Sequence, residues 1–460
     1  MSGTHNGRGA SQGMPIKETR MGNSLHSDDT ATGRLPETAR NAMRRRRMLL
    51  FLGITAPYLI SYFQRSAPAV VGLQIAADFE LAPASLGVLV STYAWGYAAA
   101  QLPAGILADT LGSRKTISLF VLIAAAGSAI FALSPGFAPL ALGRFLVGLG
   151  VGFVYVPAVR VMADWYRPDE FGTCNGVLFG VGSLGALVSA TPLVLATEAI
   201  GWRGSFLAMA AFTLLAAIFC WLAVRDTPAE LGFADPRTGR TATPVARSVK
   251  TAEAFTAVLS NARFYLLALL LFCYYGTVLS VGSLWAGPYL QHVYGFSGQA
   301  AGNIIMLIPL GMALGCPLSG YLSDKVLKSR KKVLIGGAVL HALVYPPLIF
   351  MAGELTPTAL YALFLWHGIT GGGIVVSYAC AKETVALRYA GTALGCINIF
   401  LWLGGAFFQA LLGYVIGLHP IVAEGVYSVA AYQDALSVAT LCLLAGTAAF
   451  LFFREQPHPG

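Results

Sequence analysis

The sequence predicts an all-α integral membrane protein, with twelve transmembrane helices arranged as two pseudo-symmetric six-helix bundles. Three observations predict it. Apolar stretches of roughly twenty residues recur along the chain, each long enough to cross a hydrocarbon core about 30 Å thick. Hydrophobic residues are 56% of the 460 and charged residues 11%, with a mean hydropathy of +0.67, so the charge fraction is about half that of a soluble chain. A charged turn also returns at half length. Gly105-Ile-Leu-Ala-Asp109-Thr-Leu-Gly112-Ser-Arg114-Lys115 is echoed by Gly320-Tyr-Leu-Ser-Asp324-Lys-Val-Leu-Lys-Ser-Arg330-Lys-Lys332, and the aspartates lie 324 − 109 = 215 positions apart. One such turn is what any short loop between spans collects. Two at matched positions indicate a chain of two similar halves, a plan that transporters use.

The spans begin near Met48, Ser85, Thr116, Ala138, Gly172 and Trp202 in the first half, and near Arg263, Gly298, Val333, Thr358, Gly391 and Tyr427 in the second. Residues 1–47, rich in Gly, Ser, Thr and Arg, are expected to be a disordered cytoplasmic tail. Residues 48–226 form the first bundle and 263–455 the second, with a short tail at 456–460. Between the bundles, 227–262 carries Pro228, Pro236 and Pro244 and reads as a cytoplasmic linker with a surface helix over Ala252 to Leu259. A second echo supports the duplication: Gly172-Thr173 opens the fifth span and Gly391-Thr392 the eleventh, 391 − 172 = 219 positions on.

The net charge of +9 is topological. Nine of the 30 Lys and Arg lie in the first 47 residues, including Arg44 to Arg47, and most others fall in alternate loops: Arg114 and Lys115, Arg167, Arg225 to Lys250, Lys325 to Lys332, Lys382, Arg388 and Arg454. Positive charge stays on the cytoplasmic side, which places both termini and both aspartate turns there, in a bacterial inner membrane, and argues against a nucleic-acid partner. The seven cysteines lie in or beside apolar spans without a Cys-x-x-Cys pair and read as small buried residues. No cleavable signal, metal-ligand cluster, nucleophile elbow or intramembrane acid pair is present in the sequence. The expectation is a protein with no cofactor that is not an enzyme, whose partners are the lipid bilayer and a small solute.

Binding residues are sought among polar groups at membrane depth. Tyr58, Tyr62 and Arg65 share one face of the first span. A cation so deep costs several kcal/mol in lipid and needs a polar partner, yet Asp78, Glu80, Glu198, Glu354, Glu424 and Asp434 all fall near span ends or external loops. Arg65 therefore contacts either an anionic substrate or backbone carbonyls near Pro68. Tyr93, Tyr97 and Gln101 share a face of the second span, lining a cavity or simply packing. Tyr274, Tyr275, Ser280 and Ser283 in the seventh span, His367 and Tyr378 in the tenth, and Asn398 and Trp402 in the eleventh are further cavity candidates. His341 and His367 are set to carry a coupling proton or merely to hydrogen-bond. Arg144-x-x-x-Gly148-x-Gly150-x-Gly152 opens the fourth span, where glycines four apart let helices approach closely. Gating falls to Gly105, Asp109, Gly112, Arg114, Gly320, Asp324, Arg330 and Gly391, with Arg160 close enough to bond Asp109.

These turns resemble the signature loop of the major facilitator superfamily between its second and third helices, and its second-half copy; the resemblance covers residues 48 to 455. It implies the major facilitator fold, alternating access and a monomer. The second copy departs by one residue, since Asp109 to Arg114 is five positions and Asp324 to Arg330 six. Tyr62-Phe-Gln-Arg65, Arg225-Asp-Thr-Pro228 and Ala390-Gly-Thr392 resemble the organophosphate and organic-anion permeases, which implies a substrate-binding role for Arg65. Their symmetric seventh-span arginine is replaced near Leu279 and their fifth-span histidine near Val181. The resemblance thus implies an organic anion more than a phosphate ester, moved by symport or antiport with a proton or counter-anion. The alternatives are proton-coupled efflux of amphipathic drugs, whose Gly-Pro signature is missing from Gly176 to Pro192, and a transporter-like receptor or sensor. Closure is expected to bring Asp109 to the helix start at Gly391 and Asp324 to that at Gly172, latching the halves together.

Overall fold

A computed structural model describes residue 3 and residues 37–233, 251–386, 389–423 and 425–455. The rest of the N-terminal tail, linker residues 234–250, Arg388, Glu424 and the tail 456–460 lie outside the described residues, so the expectations made for them are not addressed.

The first pass is α1 (Glu37–Ser66) and α2 (Pro68–Asp78), followed by α3 (Pro83–Thr110), α4 (Ser113–Leu133), α5 (Phe137–Gly152) with α6 (Tyr155–Trp165), α7 (Pro168–Val188) and α8 (Thr191–Ala223). After α9 (Thr251–Leu259) the second half runs α10 (Ala262–Ser280) with α11 (Ala286–Tyr294), α12 (Gly298–Ile305) with α13 (Leu307–Tyr321), α14 (Arg330–Ala342) with α15 (Tyr345–Phe350), α16 (Pro357–Gly371) with α17 (Ile374–Glu383), α18 (Ala390–Gly417) and α19 (Val429–Phe450). Among the described residues ten of these passes are long and apolar enough to cross a membrane, and the first pass and α3 complete the twelve. The one departure from an all-helical chain is a short hairpin between α18 and α19, in which β1 (Ile421–Ala423) pairs with β2 (Val426–Tyr427).

Helix starts follow local chemistry. The side chains of Asn261, Ser297, Ser329, Thr356 and Ser428 each accept a backbone N–H at the head of a second-half helix, pairing a donor that the helix itself leaves free. Helix contacts then depend on glycine. On α5, a Cβ at Gly148 would strike the backbone of Tyr93 on α3, one at Gly152 would reach Ala100 of α3, and one at Gly150 would meet Ala124 of α4. Alternate glycines therefore seat α5 in the groove between α3 and α4. The extra residue of the second charged turn is absorbed by a π-helical turn over Leu322–Val326, which inserts one residue without ending the helix. Lys328 then takes a positive φ of 45°, in the place where the first copy has Gly112 at 86°.

The halves meet at the end away from the aspartate turns. There Gly287 of α11 abuts the Ala69 carbonyl on α2, Asn303 of α12 bonds Thr191 of α8 at 2.5 Å, and Gly413 of α18 sits against Pro83 of α3. The pairing of α3 with α18 continues as far as Gly395, where an added Cβ would lie 3.5 Å from Leu102. Beyond it, Gly391, Gly172 and Gly320 face open space, and the nearest atom to a Cβ at Gly105 is on Val156 of its own half. The structure is closed at one end and parted at the end bearing Asp109 and Asp324.

Gly148→Ala should destabilise the fold by about 1–3 kcal/mol, because α5 cannot move away from α3 without losing α4. Gly336→Ala lies on α14, where an added Cβ meets nothing within 4 Å, and should be neutral or stabilising by up to about 1 kcal/mol. Thermal melting in detergent reads both.

Candidate functional site

The site begins at a proline. Pro68 has no N–H, so the carbonyl of Gln64, four residues earlier, loses its helical donor. In hydrocarbon an unpaired carbonyl is costly. Arg144 Nη1, from α5, donates to that oxygen at 3.0 Å. Arg144 is 1% exposed and its guanidinium stacks over Tyr93 at 4.9 Å and Phe131 at 5.7 Å. Carbonyl pairing near Pro68, one of the two roles open to Arg65 on the sequence, thus belongs to Arg144.

Arg65, three residues before the break, points elsewhere. Its guanidinium lies over the Tyr62 ring at 3.9 Å, and among the described residues no carboxylate or carbonyl pairs with it. It lines a small cavity between the halves, about 40 Å³, with Ser66 and Ser189 from the first half and Tyr275, Leu279, Ser283 and Ile308 from the second. Tyr58 shares a hydrogen bond with Tyr62 at 3.2 Å. Both rings fit because Gly182 of α7 lies against them. Just past the position equivalent to Arg65 the seventh span carries a π-helical turn over Val281–Trp285, where the first span has a proline.

Next to this cavity the aromatic candidates join the two halves. Tyr97 of α3 stacks on Trp402 of α18 at 3.9 Å, and Tyr93 lies 5.9 Å from the same indole while donating to the Ser61 carbonyl at 3.2 Å. Asn398 donates to the Gln101 side chain and accepts from Tyr378 at 3.0 Å. Tyr274 and His367 are not brought to Arg65. Tyr274 donates to the Thr370 carbonyl inside the second half, while His367 faces the Val278 carbonyl at 3.3 Å and packs 4.7 Å from His341. His341 bonds Thr370 at 2.8 Å and Tyr345 at 3.1 Å.

At the parted end each aspartate is paired within its own half: Asp109 with Arg160, and Asp324 with Arg330, which also bonds Glu383 at 3.2 Å and Ser323 at 2.8 Å. Arg114 stacks on Trp221 at 4.2 Å and donates to its carbonyl at 2.8 Å. Two carboxylates escaped the sequence reading. Asp226, just past α8, accepts the Arg114 N–H at 2.7 Å at the head of α4, and it fills the space a side chain at Gly112 would need. Glu455, just past α19, accepts from Ser329 at 2.5 Å and from the Arg330 and Lys331 N–H groups at the head of α14. Each half therefore ties the exit of its sixth helix to the start of its third. The signal was present as Arg225-Asp226 and Arg454-Glu455, 454 − 225 = 229 positions apart.

Two pseudo-symmetric helical halves around a cavity that holds one arginine in a largely apolar lining define a secondary transporter. The chain belongs to the Major Facilitator Superfamily, whose family profile matches residues 54–409. It is similar to the probable sulfoacetate transporter SauU of Cupriavidus necator, 26% identical over 78% of this chain and 85% of that one. It is 25% identical to the hexuronate transporter of Bacillus subtilis, over 80% of this chain and 87% of the relative. A probable hexose phosphate transport protein of Chlamydia trachomatis is 24% identical over 83% and 87%. Among solved structures, a bacterial homologue of the human lysosomal transporter Spinster in an inward-facing, unoccupied conformation has the same fold, with a TM-score of 0.68, 19% identity and coverage of 90% of this chain and 99% of that one.

Arg144→Leu should cost about 1–3 kcal/mol by leaving the Gln64 carbonyl unpaired. Pro68→Ala, which restores an N–H to that carbonyl, should recover part of the loss in the Arg144→Leu background and none in the wild type. A double-mutant cycle of melting temperatures measures the coupling.

Proposed function

We propose that this transporter moves a small organic anion by alternating access, with Arg65 as the anion's contact. The observation that carries the reading is a cation in a cavity between the halves with no protein counter-ion among the described residues. A guanidinium in a low-dielectric site with unspent donors is a ready partner for a carboxylate, sulfonate or phosphate. The names of the relatives, which include sulfoacetate, hexuronate and hexose phosphate transporters, support the same class. Tyr62 orients the guanidinium, and the Tyr97–Trp402 stack and the Tyr378–Asn398–Gln101 bonds flank the path on the parted side. The charge distribution supports an orientation with the Asp109 and Asp324 turns and both termini in the cytoplasm of a bacterial cell, and the fold supports a monomer as the working unit.

Closure of the parted end brings Asp109 toward the start of α18 at Gly391, and Asp324 toward Gly172 on α7. A carboxylate at a helix N-terminus contributes about 0.3–1 kcal/mol, more where partly buried, enough to hold a latch that transport repeatedly breaks.

Arg65→Gln in purified protein should weaken anion binding at least tenfold, read by thermal shift against anionic metabolites. Stabilisation that survives the change would remove Arg65 from the site. Asp109→Asn should slow uptake into proteoliposomes while leaving binding nearly intact, and an unchanged uptake rate would discard the latch.

A further inference from the structure

The wall facing Arg65 is chemically one-sided. Beyond the Tyr275 hydroxyl, the second half presents Val278, Leu279, Ile305, Ile308 and Met312 to the cavity. Two of the three serine hydroxyls at its edge, those of Ser189 and Ser283, already have protein partners, and the third, Ser66, adjoins Arg65 on the first half. Ser189 donates to the Ala186 carbonyl at 2.7 Å; Ser283 donates to the Leu279 carbonyl at 2.6 Å and accepts from Gln409 at 2.9 Å. Leu279 lies 279 − 65 = 214 positions after Arg65, one short of the 215 that separates the two turn aspartates. Equivalent positions therefore supply one cation and one hydrocarbon surface to the same space. The other buried arginine, Arg144, bonds the Gln64 carbonyl through Nη1 beneath the Tyr93 ring and is not among the residues that line this cavity.

We infer that the cargo is a compact monoanion with an apolar body, its carboxylate or sulfonate on Arg65 and its hydrocarbon against Leu279, Ile305, Ile308 and Met312. This rests on the anion reading of the site and narrows it. One guanidinium offers a paired fork to one acidic group, and a second charge would be set against Leu279 with no partner. A polyhydroxylated acid would bury several hydroxyls against hydrocarbon. An apolar pocket rejects even one added hydroxyl by about a hundredfold, because that group gives up its water bonds for nothing.

The test is competition binding to the purified full-length protein with four probes of graded chemistry: 1-propanesulfonate, sulfoacetate, gluconate and glucose 6-phosphate, each repeated on Arg65→Gln. Propanesulfonate is expected to bind at least tenfold more tightly than the other three and to lose that advantage in Arg65→Gln. Leu279→Arg should reverse the order of propanesulfonate and sulfoacetate. Ile308→Asn, a milder change, should narrow the gap to gluconate. Binding that depends on Arg65 but favours gluconate, glucose 6-phosphate or sulfoacetate would overturn this inference and leave the anion site standing. Binding of no probe, or binding indifferent to Arg65, would overturn both.

Discussion

A backbone carbonyl inside a bilayer has no water to turn to, and Pro68 takes the helical donor from that of Gln64. Arg144 supplies the replacement, and much of the first half is arranged to let it. The guanidinium has to reach across from α5, so α5 lies tight against α3, which requires Gly148 and Gly152. Its apolar face needs cover, which Tyr93 and Phe131 give. With the break stabilised, the first span bends just past Arg65, and that side chain is turned toward the second half instead of being drawn into the repair. The second half has a π-helical turn over Val281–Trp285 at the corresponding place, in which the backbone re-pairs within its own helix. It therefore needs no arginine, and it has a leucine at the position equivalent to Arg65.

The ion pairs at the parted end obey a different constraint. Asp109–Arg160 and the Asp324–Arg330–Glu383 group close within their own halves, as do the caps by Asp226 on α4 and Glu455 on α14. Each half is thereby a stiff unit whose loops are tied to its last helix. Exposed pairs of this kind contribute little to overall stability. Their effect is to fix the positions of the acidic groups within each half.

The repeat, the passes and the pairing of Asp109 with Arg160 were legible in the sequence because each is a pattern over many residues or a short charged signature. The single-residue mismatch between the two turns was legible as a mismatch but not as a π turn, since any apolar helical stretch takes one when tertiary packing asks for it. Tyr274 and Tyr275 are both polar aromatics in one span, and consecutive residues point about 100° apart on a helix. Periodicity alone did not say which faces the cavity, and the structure turns Tyr275 to it and Tyr274 into the second half. His367 was likewise a polar group at depth whose partner, the Val278 carbonyl, comes from a distant helix. The two roles open to Arg65 could not be told apart on the sequence because a proline's orphaned carbonyl can be met from any neighbouring helix, and sequence distance does not rank the donors. The Arg-acid echo at 225–226 and 454–455 was legible, but it gains meaning only when the start of the third helix of each half is seen beside it.

Between the halves the described polar contacts are few, among them Asn303 with Thr191 and Asn398 with Gln101, and the interface relies mainly on small residues and stacked rings. Contacts of that kind do not hold one arrangement strongly, so a modest local term can bias which end is closed. On the proposed reading Arg65 supplies such a term, solvated by water that enters while the parted end is open. Bringing Gly391 and Gly172 under the opposing turns would strip that water away and leave an unpaired cation facing Leu279 and Ile308, a state whose desolvation cost runs to several kcal/mol. An anion on Arg65 cancels most of it. On the proposed reading, closure follows occupancy for an electrostatic reason located at one side chain. The leucine at the equivalent position sharpens the dependence, because among the described residues no second charge lines the cavity to soften the penalty or to accept a second anionic group.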